Sequence, residues 1–223
     1  MSSAQSYGSD GGVLDTASGV GDAGVFGQVM GLVAATLGFL TLGAYAGRHL
    51  GEGTSLLFFI IGFLCLVGLN FAREAQGAAV VLLFATGLFL GLGLGGGLDA
   101  YAEAAPGAVW QAAAATALFV AALGSLGYVI RSDLSGGYRV LFLLLLGLIV
   151  YGFVSLFTSI PGGNVIYCVL GLAIFGGYTV LDFNRMRRAG MEEAVSIAAG
   201  VFVDILNIFT FFLGLFGSRD VRS

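Results

Sequence analysis

From Gly24 onward the chain alternates between apolar runs of about twenty residues and short polar breaks. The runs fall at 25–47, 54–72, 77–97, 108–130, 138–159, 163–183 and 194–217. A run of about 20 residues, rising 1.5 Å per residue as a helix, crosses a hydrocarbon core of about 30 Å. The breaks read RHLGEGT, AREAQ, LDAYAEAAP, RSDLSGG, IPGGN and NRMRRAGMEE. Both prolines, Pro106 and Pro161, fall in these breaks, where a helix tolerates a missing donor. The runs are rich in Ala, Leu and Gly and lack period-two alternation, so they read as helices and not as barrel strands. The pattern predicts an all-α integral membrane protein with seven transmembrane helices over residues 25–217. Composition disposes of the alternative, a soluble protein with five long helices and two buried ones. The chain is 58% hydrophobic and 10% charged, against about 25% charged residues in soluble domains.

The flanks differ from the spans. Residues 1–24 are rich in Ser, Gly and Asp with no hydrophobic period, and predict a disordered N-terminal tail. They carry neither cation nor apolar core, so they are not a cleaved signal peptide, and the first span is expected to direct insertion. Residues 218–223 form a short C-terminal tail. The nine cations are all arginine. Arg73, Arg131, Arg139, Arg185, Arg187 and Arg188 lie on the side of the N-terminus; Arg48, Arg219 and Arg222 lie on the other. Six against three predicts a cytoplasmic N-terminus in the cell (plasma) membrane. A net charge of −4 leaves no basic face for nucleic acid. Cys65 and Cys168 sit inside apolar runs and read as inert packing residues. The 38 glycines suit close helix packing.

Chemistry concentrates in the last two spans, where each run carries one acid, Asp182 and Asp204. An ionised side chain at the centre of a membrane helix costs about 2.5–3.5 kcal/mol on insertion scales, so such residues face a protein interior or a wet cavity. Ser196, Gly200, Asp204, Asn207, Phe211 and Gly214 recur at helical spacing and share one face, opposite Val201, Ile205, Ile208 and Phe212. A small and polar stripe turns toward other helices, which predicts that the last helix is central. If the two carboxyls meet, they cannot both ionise freely at low dielectric; they share a proton or exchange it for an oxygen-loving cation such as calcium. Two carboxylates are a sparse calcium cage, and Asn184, Asn207, carbonyls and water would complete it. Two plainer readings stand beside this one. Asp182 precedes Arg185 by three residues and would pair with it at the interface; Asp204 and Asn207 would serve as interhelical hydrogen-bond glue. Counted from the turn, Asp204 lies about 10 Å deeper than Asp182, so the pair meets only if span six runs past Asn184 or span seven starts late. Arg73 ends span two on the same side as Asp182 and is a candidate latch. His49 reads as a surface residue, and GLGLGGGLD (91–99) as a packed helix end without the lysine of a phosphate loop. No serine has a histidine partner within a span, so no enzyme is expected.

VFVDILNIFTFFLGLFG (201–217) resembles the final span of the Bax inhibitor-1-like (transmembrane Bax inhibitor motif) family. GGYTVLDFNRM (176–186) is similar to its sixth span, with a Tyr shortly before an Asp. GLDAYAEAAPGAVWQAAAATALFVAAL (97–123) is similar to its third-to-fourth span region. The resemblance covers most of residues 25–217. It implies seven helices with the last one central and a pH-sensitive calcium leak. The gate would be an aspartate dyad, here Asp182 and Asp204, with Arg73 in the place of its arginine latch. Some bacterial members are linked to regulation of a membrane protease, which implies an alternative role as a non-conducting partner. Bacterial relatives also place a glutamate within span two. Here the matching stretch, FFIIGFLCLVGL, has no acid, and Gly62 or a neighbour stands there.

Overall fold

The computed structural model describes residues 10–72, 75–155, 157–158 and 162–220, with side chains described within Gly24–Gly217. It is built from seven helices: α1 (Asp10–Gly47), α2 (Glu52–Gly68), α3 (Gln76–Ala104), α4 (Pro106–Val129), α5 (Gly137–Ser155), α6 (Gly163–Met186) and α7 (Ala194–Asp220). A single 3-10 turn, Met191–Glu193, leads into α7. Six helices are long and apolar enough to cross a membrane, the first over Gly24–Gly47; α2, at 17 residues, is a shorter apolar helix. The helical backbone of α1 reaches back to Asp10, into the Ser/Gly/Asp-rich stretch.

Two ends depart from the hydropathy boundaries for identifiable reasons. Helix α3 continues through the glycines to Ala104 because Leu98 and Tyr101 find partners there. Leu98 packs on the Ala105, Ala108, Ala112 and Leu213 cluster, and the Tyr101 ring lies 2.6 Å from where a Cβ on Gly217 would stand. It stops at Ala105, held at φ −146° by the proline that follows. Helix α6 runs past Asn184 to Met186, because Phe183, Asn184 and Met186 are all buried.

The helices form two trios flanking α7. In one, α1 and α2 both pack on α3; in the other, α4 and α5 both pack on α6. Helix α7 touches α1, α3, α4 and α6. Its Ile197, Ala198, Val201, Phe202 and Ile208 are at most 1% exposed. Of the face expected opposite the polar stripe, Val201 and Ile208 are buried and Ile205 and Phe212 half-buried, while Thr210 is exposed; α7 is central by its contacts with four helices. The α1–α3 contact uses small residues in place of side-chain interdigitation. A Cβ on Gly91 would strike the Leu40 carbonyl, and one on Gly43 the Leu88 carbonyl, so both positions need the bare backbone. Gly62 of α2 is pressed in the same way against the Leu90 backbone, and a Cβ there would lie 2.8 Å from its nitrogen. No acidic side chain fits at that position without parting α2 from α3.

The outer surface inverts the pattern of a soluble protein. Leu56, Leu57, Ile60, Phe63 and Leu64 of α2 and Phe142, Leu143, Leu144, Ile149, Val150 and Phe153 of α5 are exposed. Surfaces of this kind belong in lipid. Inside, Thr36, Thr86, Thr116 and Thr179 each donate to the carbonyl four residues earlier, so these buried hydroxyls are satisfied within their own helices.

Candidate functional site

Helices α6 and α7 run antiparallel, and their register decides how the acids meet. The Asp182 carboxylate lies directly against Gly200, where it occupies the space a Cβ would take. One turn deeper, Asp204 Oδ2 accepts a hydrogen bond from Thr179 Oγ1 at 3.3 Å. Asp182 thus stands level with Gly200, and Asp204 with Thr179. The two acids are offset by about one turn, ~5.4 Å of rise, and not by the ~10 Å counted from the turn. The extension of α6 to Met186 removes the difference. Both side chains are buried, Asp182 at 7% and Asp204 at 4% exposed.

Each carboxylate is held by a hydroxyl. Tyr138 at the start of α5 donates to Asp182 Oδ1 at 2.6 Å. Thr179 is shared between the Phe175 carbonyl at 2.9 Å and Asp204. Asp182 is not paired with Arg185. That guanidinium turns away to Glu193, with Nη2 2.6 Å from Oε2 and Nε donating to the same oxygen at 3.0 Å. Arg185 shares the face of Asp182 but lies one turn nearer the water end of α6, where Glu193 of the 3-10 turn takes its guanidinium.

The pair lines a cavity of about 710 Å³ that opens toward the α6–α7 turn. Tyr138, Tyr178, Asp182 and Asp204 form its depth with Ser196 and Gly200; Asn70, Gln76, Arg185, Glu192 and Glu193 stand nearer its mouth. Beyond Asp204 the space between α6 and α7 is filled. The Phe211 ring lies against Gly171, with its centroid 5.9 Å from that of Phe175 and 5.5 Å from that of Tyr167; Tyr167 in turn stacks on Tyr151. The cavity ends at this aromatic plug.

The remaining expected residues lie elsewhere. Asn184 follows Asp182 by two residues, about 200° around the helix, and faces the end of α4. Its Nδ2 reaches the carbonyls of Gly127, Ile130 and Ser132 at 3.3, 2.8 and 3.2 Å, and its Oδ1 accepts from Leu134 N and Arg188 Nη2. It fastens the α4–α5 connection to α6. Asn207 donates to the Val203 carbonyl of its own helix at 2.8 Å and does not line the cavity. Arg73 lies outside the described residues. Among those described, no group of three or more His, Cys, Asp or Glu side chains gathers, so the two aspartates are the acidic ligands on hand for a cation. His49 is exposed in the α1–α2 connection. Sequence reasoning missed Tyr138 and the Arg185–Glu193 pair. Tyr138 had one signal, its place as the first polar side chain of a span.

Comparison with known proteins agrees with this architecture. The family model described as inhibitor of apoptosis-promoting Bax1 matches residues 23–221. An uncharacterised protein of Chlamydia muridarum is 32% identical over 177 residues, covering 70% of this chain and 74% of its own. One from Helicobacter pylori J99 is 27% identical over 168 residues, covering 74% and 73%. An uncharacterised membrane protein of Streptococcus pyogenes serotype M1 is 26% identical over 176 residues, covering 75% and 74%. With its helices wrapped around a buried α7 and the family match spanning that whole domain, this chain is a membrane protein of the Bax inhibitor-1-like family.

Proposed function

We propose that this protein is a pH-sensitive leak pathway for cations, calcium among them, in the plasma membrane, with its N-terminus in the cytoplasm and the Asp182–Asp204 pair as its switch. One observation carries the proposal: two buried carboxyl groups, one turn apart, stand at the blind end of a cavity that opens toward the α6–α7 turn. A cation entering from that side meets two acidic oxygen ligands among the cavity's buried lining. Only two acids stand at that depth, with Glu192 and Glu193 at the mouth, so the ion keeps part of its water, as suits transit more than storage. Proton binding competes with the cation for the same oxygens and alters the bonds from Tyr138 and Thr179 that tie α5, α6 and α7 together. The groups facing the pair are Tyr138, Tyr178, Thr179 and Ser196, with Arg185, Glu192 and Glu193 at the mouth. Conduction further requires Phe211 to leave its seat on Gly171, so the present arrangement is the shut one. The chemistry is transport, not catalysis.

The test is calcium flux into reconstituted vesicles as a function of pH. Asp204→Asn breaks the pair and abolishes the pH dependence; an unchanged flux–pH curve removes the pair from the mechanism. A second reading, a non-conducting partner of a membrane protease, is favoured by the aromatic plug, which leaves no open path past Asp204. It calls for no flux at any pH, with Phe211→Ala as silent as the native chain.

A further inference from the structure

A second concavity lies on the far side of α7, and the switch has no use for it. It is a groove of about 1160 Å³ between α1 and α4, floored by Phe183 of α6 and by Ile205, Leu206 and Phe209 of α7. It exceeds the roughly 300–1,000 Å³ of small-molecule sites. Its lining on α1 runs from Phe26 to Ala44, about 27 Å of helix, and on α4 from Ala113 to Val129. The groove therefore follows the apolar thickness of the bilayer and is long enough for a whole acyl chain. Small residues, Ala113, Ala117, Ala121 and Gly124, keep α4 thin along it.

The end of the groove on the α6–α7 side is not apolar. Tyr128 closes it, edge-on to Phe26 with ring centroids 5.6 Å apart, and Ser125 adds a hydroxyl. Two arginines follow at the headgroup level. Arg131 comes two residues after Val129 and is exposed. Arg187 lies one turn beyond Phe183 on the same face of α6, its Nη1 3.4 Å from the Ile130 carbonyl. The other two cations of this corner are already engaged, Arg185 with Glu193 and Arg188 with Asp133. No carboxylate among the described residues pairs with Arg131 or Arg187.

We infer that the α1–α4 groove is a binding site for an anionic phospholipid of the leaflet on the α6–α7 side, one acyl chain lying along α4 and the phosphate meeting Arg131 and Arg187. Charge selects this occupant. A neutral lipid satisfies the groove but not the two guanidinium groups, whereas basic pockets at helix ends are where anionic headgroups dock.

The full chain in phosphatidylcholine vesicles, doped in turn with spin-labelled phosphatidylglycerol or spin-labelled phosphatidylcholine, tests this by the fraction of label immobilised. Phosphatidylglycerol is expected to be retained preferentially. The preference falls about fivefold for each of Arg131→Gln and Arg187→Gln, and Ala121→Phe, which fills the groove at an exposed position, removes it. Equal retention of both lipids overturns the site, as does a phosphatidylglycerol preference that survives both the arginine pair and Ala121→Phe. Arg139→Gln, an exposed arginine at the start of α5, is the control for charge alone; an equal loss there reduces the effect to general surface attraction and also overturns the site.

Discussion

At the residue scale the site depends on what is missing at one position as much as on the two acids. Gly200 provides the hollow that takes the Asp182 carboxylate. Gly200→Ala keeps both aspartates yet drives that carboxylate off its seat, so the flux–pH midpoint is expected to move while the chain still folds. A midpoint identical to the native one would show that the seat is irrelevant. Tyr138→Phe removes the 2.6 Å bond to Asp182 without changing shape. It should destabilise the protein by about 1 kcal/mol in a denaturant titration, and shift the same midpoint by a separate route. The acids themselves were legible in the sequence because a charge inside an apolar run stands out. Tyr138 was not, since an aromatic residue at a span end is ordinary and its partner lies 44 positions away. Asn184 and Asn207 were read as companions of the pair because of their nearness in sequence; Asn184, two residues on, points about 200° away, and Asn207, one turn on, donates its amide to the Val203 carbonyl.

At the element scale, hydropathy gave seven helices because lipid imposes a length and forbids unpaired backbone. It could not give their ends where packing decides, as at the glycines of α3. The polar stripe did point to α7 as the central helix, but it was silent about the opposite face, where Val201 and Ile208 are also buried. Close contact between α1 and α3 makes its own forecast. Gly91→Val forces backbones apart and should cost about 1–3 kcal/mol, whereas Gly97→Ala, with nothing within 4 Å of its added carbon, should be neutral; unfolding of the two variants in mixed micelles compares them directly. The α4–α5 connection is expected to be acid-sensitive. Asp133 is held below the usual carboxylate range by the backbone N–H of Ser135 and by Arg188. A depressed value contributes stability above the unfolded pKa of about 3.9, and that contribution is lost as pH falls through the lower folded value. Pepsin should therefore cut at 130–136 increasingly below about pH 4, and Asp133→Asn should be cut equally at every acidic pH.

At the scale of the whole molecule, two concavities on opposite sides of α7 differ in what they admit. One carries acids and a polar mouth, the other a bilayer-long apolar wall. Water should enter the first as far as Asp204 and stop at Phe211. With Cys65 and Cys168 replaced by alanine, Ser196→Cys is expected to react with a membrane-impermeant thiol reagent added on the α6–α7 side, and Leu213→Cys to stay unmodified. Equal labelling of both would mean that the plug does not seal.

The five-fold fastening at Asn184 has a mechanical corollary. With its amide nailed to the last carbonyls of α4 and to the loop beyond, the terminal turn of α6 cannot swing by itself; α4, the loop and α6 travel as one lever. Under the proposed function, a pivot between α6 and α7 would lie past that anchor, in the Ala189–Gly190 elbow.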